Sequence, residues 1–215
     1  MGRIMRLQPI SWPRLTGQLA DRIERLTPQD GGQWPRVALD GASAAHPERL
    51  AERLADELRL RGRAVQRIRS VDFLRSASLR LEYGHQDPDA YLDRWLDDNA
   101  LFREVFTPLD PGGSGRVLPD LRDPRTDRST RSGYRELAPG TVLLLDGALL
   151  LGRWFPLDLT VHLLLSPAAL ARRTGPGEQW TLPAFARYES EVRPTEAADV
   201  VVRVDDPKHP AWNVV

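Results

Sequence analysis

The chain has no cysteine, and only one of its 30 basic residues, Lys208, is a lysine. The first absence excludes disulfides, thiolate nucleophiles and zinc–thiolate centres. The second leaves no lysine anywhere but the C-terminal end to hold a phosphate. Charge of either sign is also missing in excess: 30 basic and 30 acidic residues give a formal net charge of zero. No global field therefore draws the chain to nucleic acid or to an anionic lipid surface. No apolar run approaches the roughly 18 residues that would span a bilayer. The longest candidate, Val142 to Leu151, is interrupted by Asp146. Arg3 and Arg6 are not followed by the apolar core of a signal peptide. These absences lead to the expectation of a cytoplasmic protein with no nucleic-acid or membrane partner.

What is present suits one domain: 215 residues with 41% hydrophobic residues can bury a sizeable core. Leu15, Leu19, Ile23 and Leu26 recur at helical spacing and predict an amphipathic helix over 12–26. A Gly/Pro loop over 28–35 separates it from a short buried strand, Val37 to Leu39, which stops at Asp40-Gly41. Residues 1–35 therefore read as an N-terminal helix and linker, and residues 36–215 as the main domain. A strong helix is predicted over 47–61, with Pro47 at a first helical position, Leu50, Leu54 and Leu58 as its stripe, and Gly62 as its C-terminal cap. Further strands are predicted over 64–69, 141–145, 159–165 and 199–204, and helices over 88–106, 166–173 and part of 188–197. Ser166 should cap the second of these helices. Strands alternating with helices imply an α/β fold: three layers around a mainly parallel five-stranded sheet.

Five segments, taken in order, resemble the uridine kinase family of P-loop proteins. They are Val37-Ala-Leu-Asp-Gly41, Ser70-Val-Asp-Phe73, Asp123-Pro-Arg-Thr-Asp127, Leu145-Asp-Gly-Ala-Leu-Leu150, and Glu191-Val-Arg-Pro194 followed by Ala198-Asp-Val-Val-Val202. The resemblance covers about residues 36 to 207 and implies a P-loop NTPase-like fold. It also implies transfer of a phosphoryl group from ATP to a pyrimidine nucleoside, with Mg²⁺.

Four stations of that chemistry depart from their pattern: the phosphate loop, the base, the pyrimidine contact and the lid. A phosphate loop reads G-x-x-x-x-G-K-[ST]; here the same positions are Gly41-Ala-Ser-Ala-Ala-His46-Pro47-Glu48. Pro47 supplies neither the charge of the lysine nor a backbone N–H, and it biases His46 toward extended geometry. Glu48 replaces the Mg²⁺-binding hydroxyl in the first helical turn, where its charge competes with a phosphate for the helix dipole. A rebuilt anion site would use Gly41, Ser43 and His46, with Arg172 and Arg173 from the arginine-rich lid that the resemblance implies. That lid is shortened, because Gly175-Pro-Gly177 breaks its helix.

Asp146 holds the place of the acid that orients Mg²⁺, and it reads equally as a strand-end cap. Asp72 is the candidate general base, but it stands one position away from the expected acid, where Val71 is found. Asp123, Arg125 and Arg193 are the candidate substrate-binding residues, with Pro124 in place of the expected pyrimidine-contacting histidine. His85, His162 and His209 have no metal-ligand spacing and read as structural or surface residues, and no metal site is expected. Three outcomes remain. The first two are a domain that has lost catalysis and binds a nucleoside-like ligand or regulates, and an active nucleoside kinase with an unorthodox phosphate site. A structural subunit, as a homodimer or paired with an intact relative, is the third.

Overall fold

A computed structural model describes residues 6–213. Arg3 and the outermost ends of the two segments defined above lie outside them. In chain order the first elements are β1 (Leu7–Pro9), α1 (Trp12–Glu24), β2 (Arg36–Asp40), α2 (Pro47–Leu60) and β3 (Val65–Arg69). The central region holds α3 (Ala77–Arg80), α4 (Pro88–Arg94) and α5 (Asp98–Leu101), then the short strands β4 (Arg116–Val117), β5 (Arg122–Asp123), β6 (Arg128–Ser129) and β7 (Arg135–Glu136). The chain ends with β8 (Val142–Gly147), β9 (Leu159–Leu164), α6 (Pro167–Arg173), α7 (Leu182–Glu191), α8 (Pro194–Ala197), β10 (Val200–Arg203) and β11 (Ala211–Asn213).

The main sheet runs β1-β11-β10-β9-β2-β8-β3. Its five parallel strands, β10 to β3, are the five predicted ones, with β2 central beside β8. Two further strands, β1 and β11, extend one edge in antiparallel sense. At three residues each they are too short to carry a period-2 pattern of their own, so the sheet has seven strands where the sequence predicts five.

Alternation along the strands builds the layers. Val37 and Leu39 of β2 enter one core with α1, α2, Leu144 and Val161. Ala38 enters the opposite core with Ile68, Phe73, Leu143, Leu145 and Phe106. Helix α1 belongs to the first core through Leu15, Leu19 and Ile23, each with no exposed surface.

Two predicted helices are divided. The 88–106 helix breaks after Arg94, because Leu96 bridges to Leu74 and Asp97 starts a new helix by accepting from the Ala100 N–H at 2.9 Å. The piece near the C-terminus becomes α7 and α8, parted where Arg193 takes a left-handed φ of 51°. Ser166 caps α6 as predicted, accepting from the Ala169 N–H.

At the opposite end of the sheet from its loops, Arg36 begins β2 with a side chain only 2% exposed. It is ringed by Asp30, Asp110 at 3.3 Å and Asp158 at 3.7 Å. Asp158 also accepts the N–H groups of Gln29 and Arg36, which ties the loop before β2 to the start of β9. Burial pushes the Asp30 carboxyl up, but hydrogen bonds from Arg36 and the Gly32 N–H outweigh it and hold the group below the ordinary carboxylate range.

Removing the cation strands Asp158 in a dry site, a type of loss that costs about 3–5 kcal/mol. Arg36→Met should therefore lower unfolding stability by about that amount at neutral pH in a denaturant titration. Because the folded-state pKa of Asp30 is lowered, its contribution is full above the ordinary carboxylate value of about 4 and fades as pH falls through the lowered one. The gap between wild type and variant should narrow in acid. A gap that widens as pH falls would contradict this account.

Candidate functional site

Parallel strands present their C-terminal ends to one edge, where α/β folds bind ligands. Register places Asp40 beside Gly147 and His162, and Arg69 beside Asp146, along that edge. The turn after β2 is tight. A Cβ on Gly41 would lie 3.1 Å from Leu163, so a larger residue here would have to push β9 back by a few tenths of an ångström. The Gly41 N–H donates to the Gly147 carbonyl at 3.0 Å. A 3₁₀ turn over Ser43–Ala45 follows, and His46 then turns the chain into α2.

His46 does so in the left-handed region, at φ 60° and ψ 54°, not in the extended geometry expected before a proline. The chain must reverse between a 3₁₀ turn and a helix that starts at Pro47, and that requirement overrides the local preference. Its imidazole Nδ1 lies 2.9 Å from the Glu48 carboxylate, so the two residues that flank Pro47 are paired with each other.

Beneath the loop, Asp40 is wholly buried. One carboxylate oxygen accepts from the Leu150 N–H at 2.8 Å. The other meets His162 Nδ1 at 2.7 Å and the Tyr188 hydroxyl at 3.1 Å. The Tyr188 oxygen in turn accepts from the Leu151 N–H at 2.9 Å. Burial first, then the charge of Asp40, raises the Tyr188 phenol far above its ordinary value, so it stays protonated as a donor. His162, a sequence-level structural histidine, is thus a buried partner of this carboxylate.

Above the sheet edge lies a cleft of about 790 Å³. Of the predicted residues, it brings together Gly41, Ser43, His46, Asp146 and Arg173. Asp146 is nearly buried, and both of its oxygens are taken by Arg67, at 2.5 and 2.9 Å. Arg67 also reaches Glu52 at 3.1 Å. The hydrogen bond to Asp146 raises the Arg67 pKa above its already high value, so the guanidinium is permanently charged. Arg173 turns its guanidinium to the Val204 carbonyl at 2.7 Å.

Other predicted residues lie elsewhere. Asp72 is held by Arg69 at 2.7 and 2.5 Å and faces a separate cleft of about 550 Å³, together with Asp123 and Arg125. Val71, its neighbour, lines the main cleft instead. The one-position offset noted in the sequence therefore turns the carboxylate away: Asp72 pairs with Arg69 and does not line the main cleft. Asp123 shapes its own turn, accepting from the Arg125 N–H at 2.8 Å. Arg172 is exposed and lines neither cleft. Arg193 is also outside both and pairs with Glu196 at 3.3 Å.

The sequence reading missed Arg67, Tyr91, Trp95, Arg153 and Glu178, which line the main cleft. Tyr91 and Trp95 stand one turn apart, a spacing that signals a shared face. Their ring centroids are 5.0 Å apart, and Trp180 lies 5.5 and 5.4 Å from them. Burial, with help from Glu178 and Asp40, pushes the Tyr91 phenol up to about 12. Arg187 fastens α7 to α4 through Asp89 at 3.0 Å and Asp93 at 2.8 Å.

No protein-family model matches the chain. No curated protein sequence matches it either. Solved structures do. A possible uridine kinase from Bacillus stearothermophilus superimposes with a TM-score of 0.69 at 20% identity, covering 86% of this chain and 96% of that one. A protein assigned as a fructose transport system kinase from Silicibacter sp. TM1040 gives 0.60 at 24% identity, covering 85% and 94%. The YGR205w protein gives 0.58 at 10% identity, covering 96% and 99%. At these identities the likeness shows the fold alone: an α/β fold with a mostly parallel central sheet. Among the described residues no helix is long and apolar enough to cross a membrane.

The Asp40 network generates a direct test. Tyr188→Phe removes one donor to Asp40 and the acceptor of the Leu151 N–H, both buried. Leaving such groups unpaired costs about 1–3 kcal/mol. Urea unfolding of the variant should show a loss in that range, with the turn over 149–151 gaining amide hydrogen exchange. Unchanged stability and exchange would show that the hydroxyl is not what ties α7 to β2.

Proposed function

We propose that this chain is a uridine-kinase-like protein with an eroded phosphate loop, impaired in catalysis, which binds a nucleoside-like small molecule in the main cleft and acts by binding or regulation. The observation that carries this reading is the Asp146–Arg67 pair. The acid at the Mg²⁺-orienting position gives both oxygens to a guanidinium, and an arginine held by two carboxylates does not leave readily for a hydrated cation.

The rest of the loop supports the same reading. ATP and Mg²⁺, implied by the resemblance, do not match the donors present: Pro47 offers no N–H, and Glu48 is paired with His46. The cleft volume of about 790 Å³ falls in the range of small-molecule sites, about 300–1,000 Å³. Arg67, Arg153, Glu48 and Glu52 on its walls are already in ion pairs. A ligand of low charge therefore suits it better than a triphosphate, and Tyr91 and Trp95 offer aromatic surface for a base. The cysteine-free composition supports a cytoplasmic setting.

Mg²⁺–ATP at millimolar concentration should leave the melting temperature unchanged, while a nucleoside panel should contain a ligand that raises it. A ligand at about a hundred times its Kd adds about 2.7 kcal/mol, a shift of several degrees for a chain of this size. Uridine phosphorylation by the unmodified protein, or an ATP-dependent shift abolished by changes in residues 41–48, would establish the active-kinase reading instead.

The left-handed backbone at His46 is a conformation that glycine adopts without strain. Replacing His46, Pro47 and Glu48 with Gly, Lys and Thr should thus restore nucleotide binding, at micromolar to millimolar Kd by calorimetry. Charge-assisted contacts of this kind are worth about 1.5–3 kcal/mol each. Turnover of uridine should stay absent, because Asp146 remains paired with Arg67. A folded triple variant with no nucleotide affinity would mean that the loop has lost its shape as well as its residues.

A further inference from the structure

Beside the main cleft, and sharing Ser43, Tyr91, Trp95 and Glu178 with it, lies a side pocket of about 180 Å³. That is room for a head group, not for a whole metabolite. Its walls are the rings of Tyr91, Trp95 and Trp180, with Phe185 behind them at 6.1 Å from Tyr91. Tyr91 stands nearly perpendicular to both indoles, at 80° to Trp95 and 74° to Trp180. A corner of perpendicular rings turns π faces in more than one direction, and each face is electron-rich.

Two features set this cluster apart from core packing. The first is its polar tips. The Tyr91 hydroxyl and the indole N–H groups of Trp95 and Trp180 hydrogen-bond to no described residue, yet none of them is sealed from solvent. Buried rings of these types usually bond such atoms to the protein, as Trp34 does to the Ala138 carbonyl and Tyr188 to Asp40. The second is charge. Glu178 is the one charged residue on the pocket walls, and its carboxylate has no ion pair or hydrogen bond among the described residues. Burial and then the charge of Glu178 push the Tyr91 phenol up, which sets that carboxylate near the rings. The rings already hold one cation: the Arg80 guanidinium lies 5.0 Å from the Trp95 centroid. Arg80 lines neither the pocket nor the main cleft, so it does not fill this space.

We propose that the side pocket binds the alkylated ammonium head group of a small organic cation, with Tyr91, Trp95 and Trp180 receiving it on their rings and Glu178 balancing its charge. Methyl groups on such a nitrogen pack against aromatic faces while the positive charge meets the ring quadrupoles. A primary ammonium would shed its water without finding an acceptor for each N–H. This goes beyond the reading of the main cleft, because the pocket needs no nucleoside in that cleft.

The test uses the full chain in calorimetry at constant ionic strength. Choline and tetramethylammonium should bind at millimolar concentration or below. The uncharged tert-butyl isostere of choline should bind about tenfold more weakly, and ethanolamine more weakly than choline. Glu178→Gln should weaken choline by about fivefold or more, and Trp180→Leu by about tenfold. Trp180→Leu removes a packed ring, so circular dichroism checks its fold. Glu178→Gln changes only an exposed carboxylate and decides the matter where the Trp180 variant is unstable. Three outcomes would overturn the proposal: no choline binding at millimolar concentration, equal affinity for choline and its uncharged isostere, or choline affinity unchanged in Glu178→Gln. Capture on phosphatidylcholine vesicles without affinity for free choline would do so as well, since it would make a membrane surface the ligand. The probes carry no base, so this site and the nucleoside reading of the main cleft fail separately.

Discussion

A buried carboxylate sets the terms for the functional end of this molecule. Asp40 terminates the central strand with no solvent contact, and a charge in that position must be fully partnered. Its partners come from three other places in the chain: His162 on β9, Tyr188 on α7, and the backbone at Leu150 beyond β8. Satisfying one group therefore fixes the direction of the loop after β2, the turn after β8 and the seat of α7. The main cleft is the space those three leave between them. All three partners lie more than a hundred residues from Asp40 in sequence, so the network forms only when the whole sheet does.

The same logic of internal partnering runs along the walls of the main cleft. The polar groups lining it have turned toward one another: Asp146 to Arg67, Glu48 to His46, Arg153 to Asp98, Arg173 to a main-chain carbonyl. Ion pairs of this kind add little net stability, because desolvation offsets the attraction. Their effect lies in specificity: a highly charged ligand would have to break them, while a weakly charged ring meets an ordered wall. The clasp of α7 on α4, through Arg187 and the Tyr91, Trp95 and Trp180 rings, encloses that wall from the side.

Much of the architecture was legible in the residues. Short apolar runs alternating with leucine-striped helices define the five parallel strands and α1 and α2. Proline, serine and glycine at helix ends mark where α2 and α6 start or stop, because these residues have few conformational options. The identities of residues 46 to 48 were equally plain, since they concern which chemical groups exist.

Pairing was not legible. Asp72 and Val71 are adjacent, and only the 3₁₀ turn at Ser70–Phe73 decides that the carboxylate leaves the cleft and the valine enters it. Arg67 looks like an outward strand residue until β8 sets Asp146 beside it. His46 was expected to follow its proline, and the need to close a turn against a helix overruled that preference. The sequence by itself determined which groups the protein owns and the elements they ride on, because propensity and periodicity act over a few residues. Only the tertiary structure decided which groups meet, because a hydrogen bond or ion pair depends on ångström-scale distances between segments a hundred residues apart.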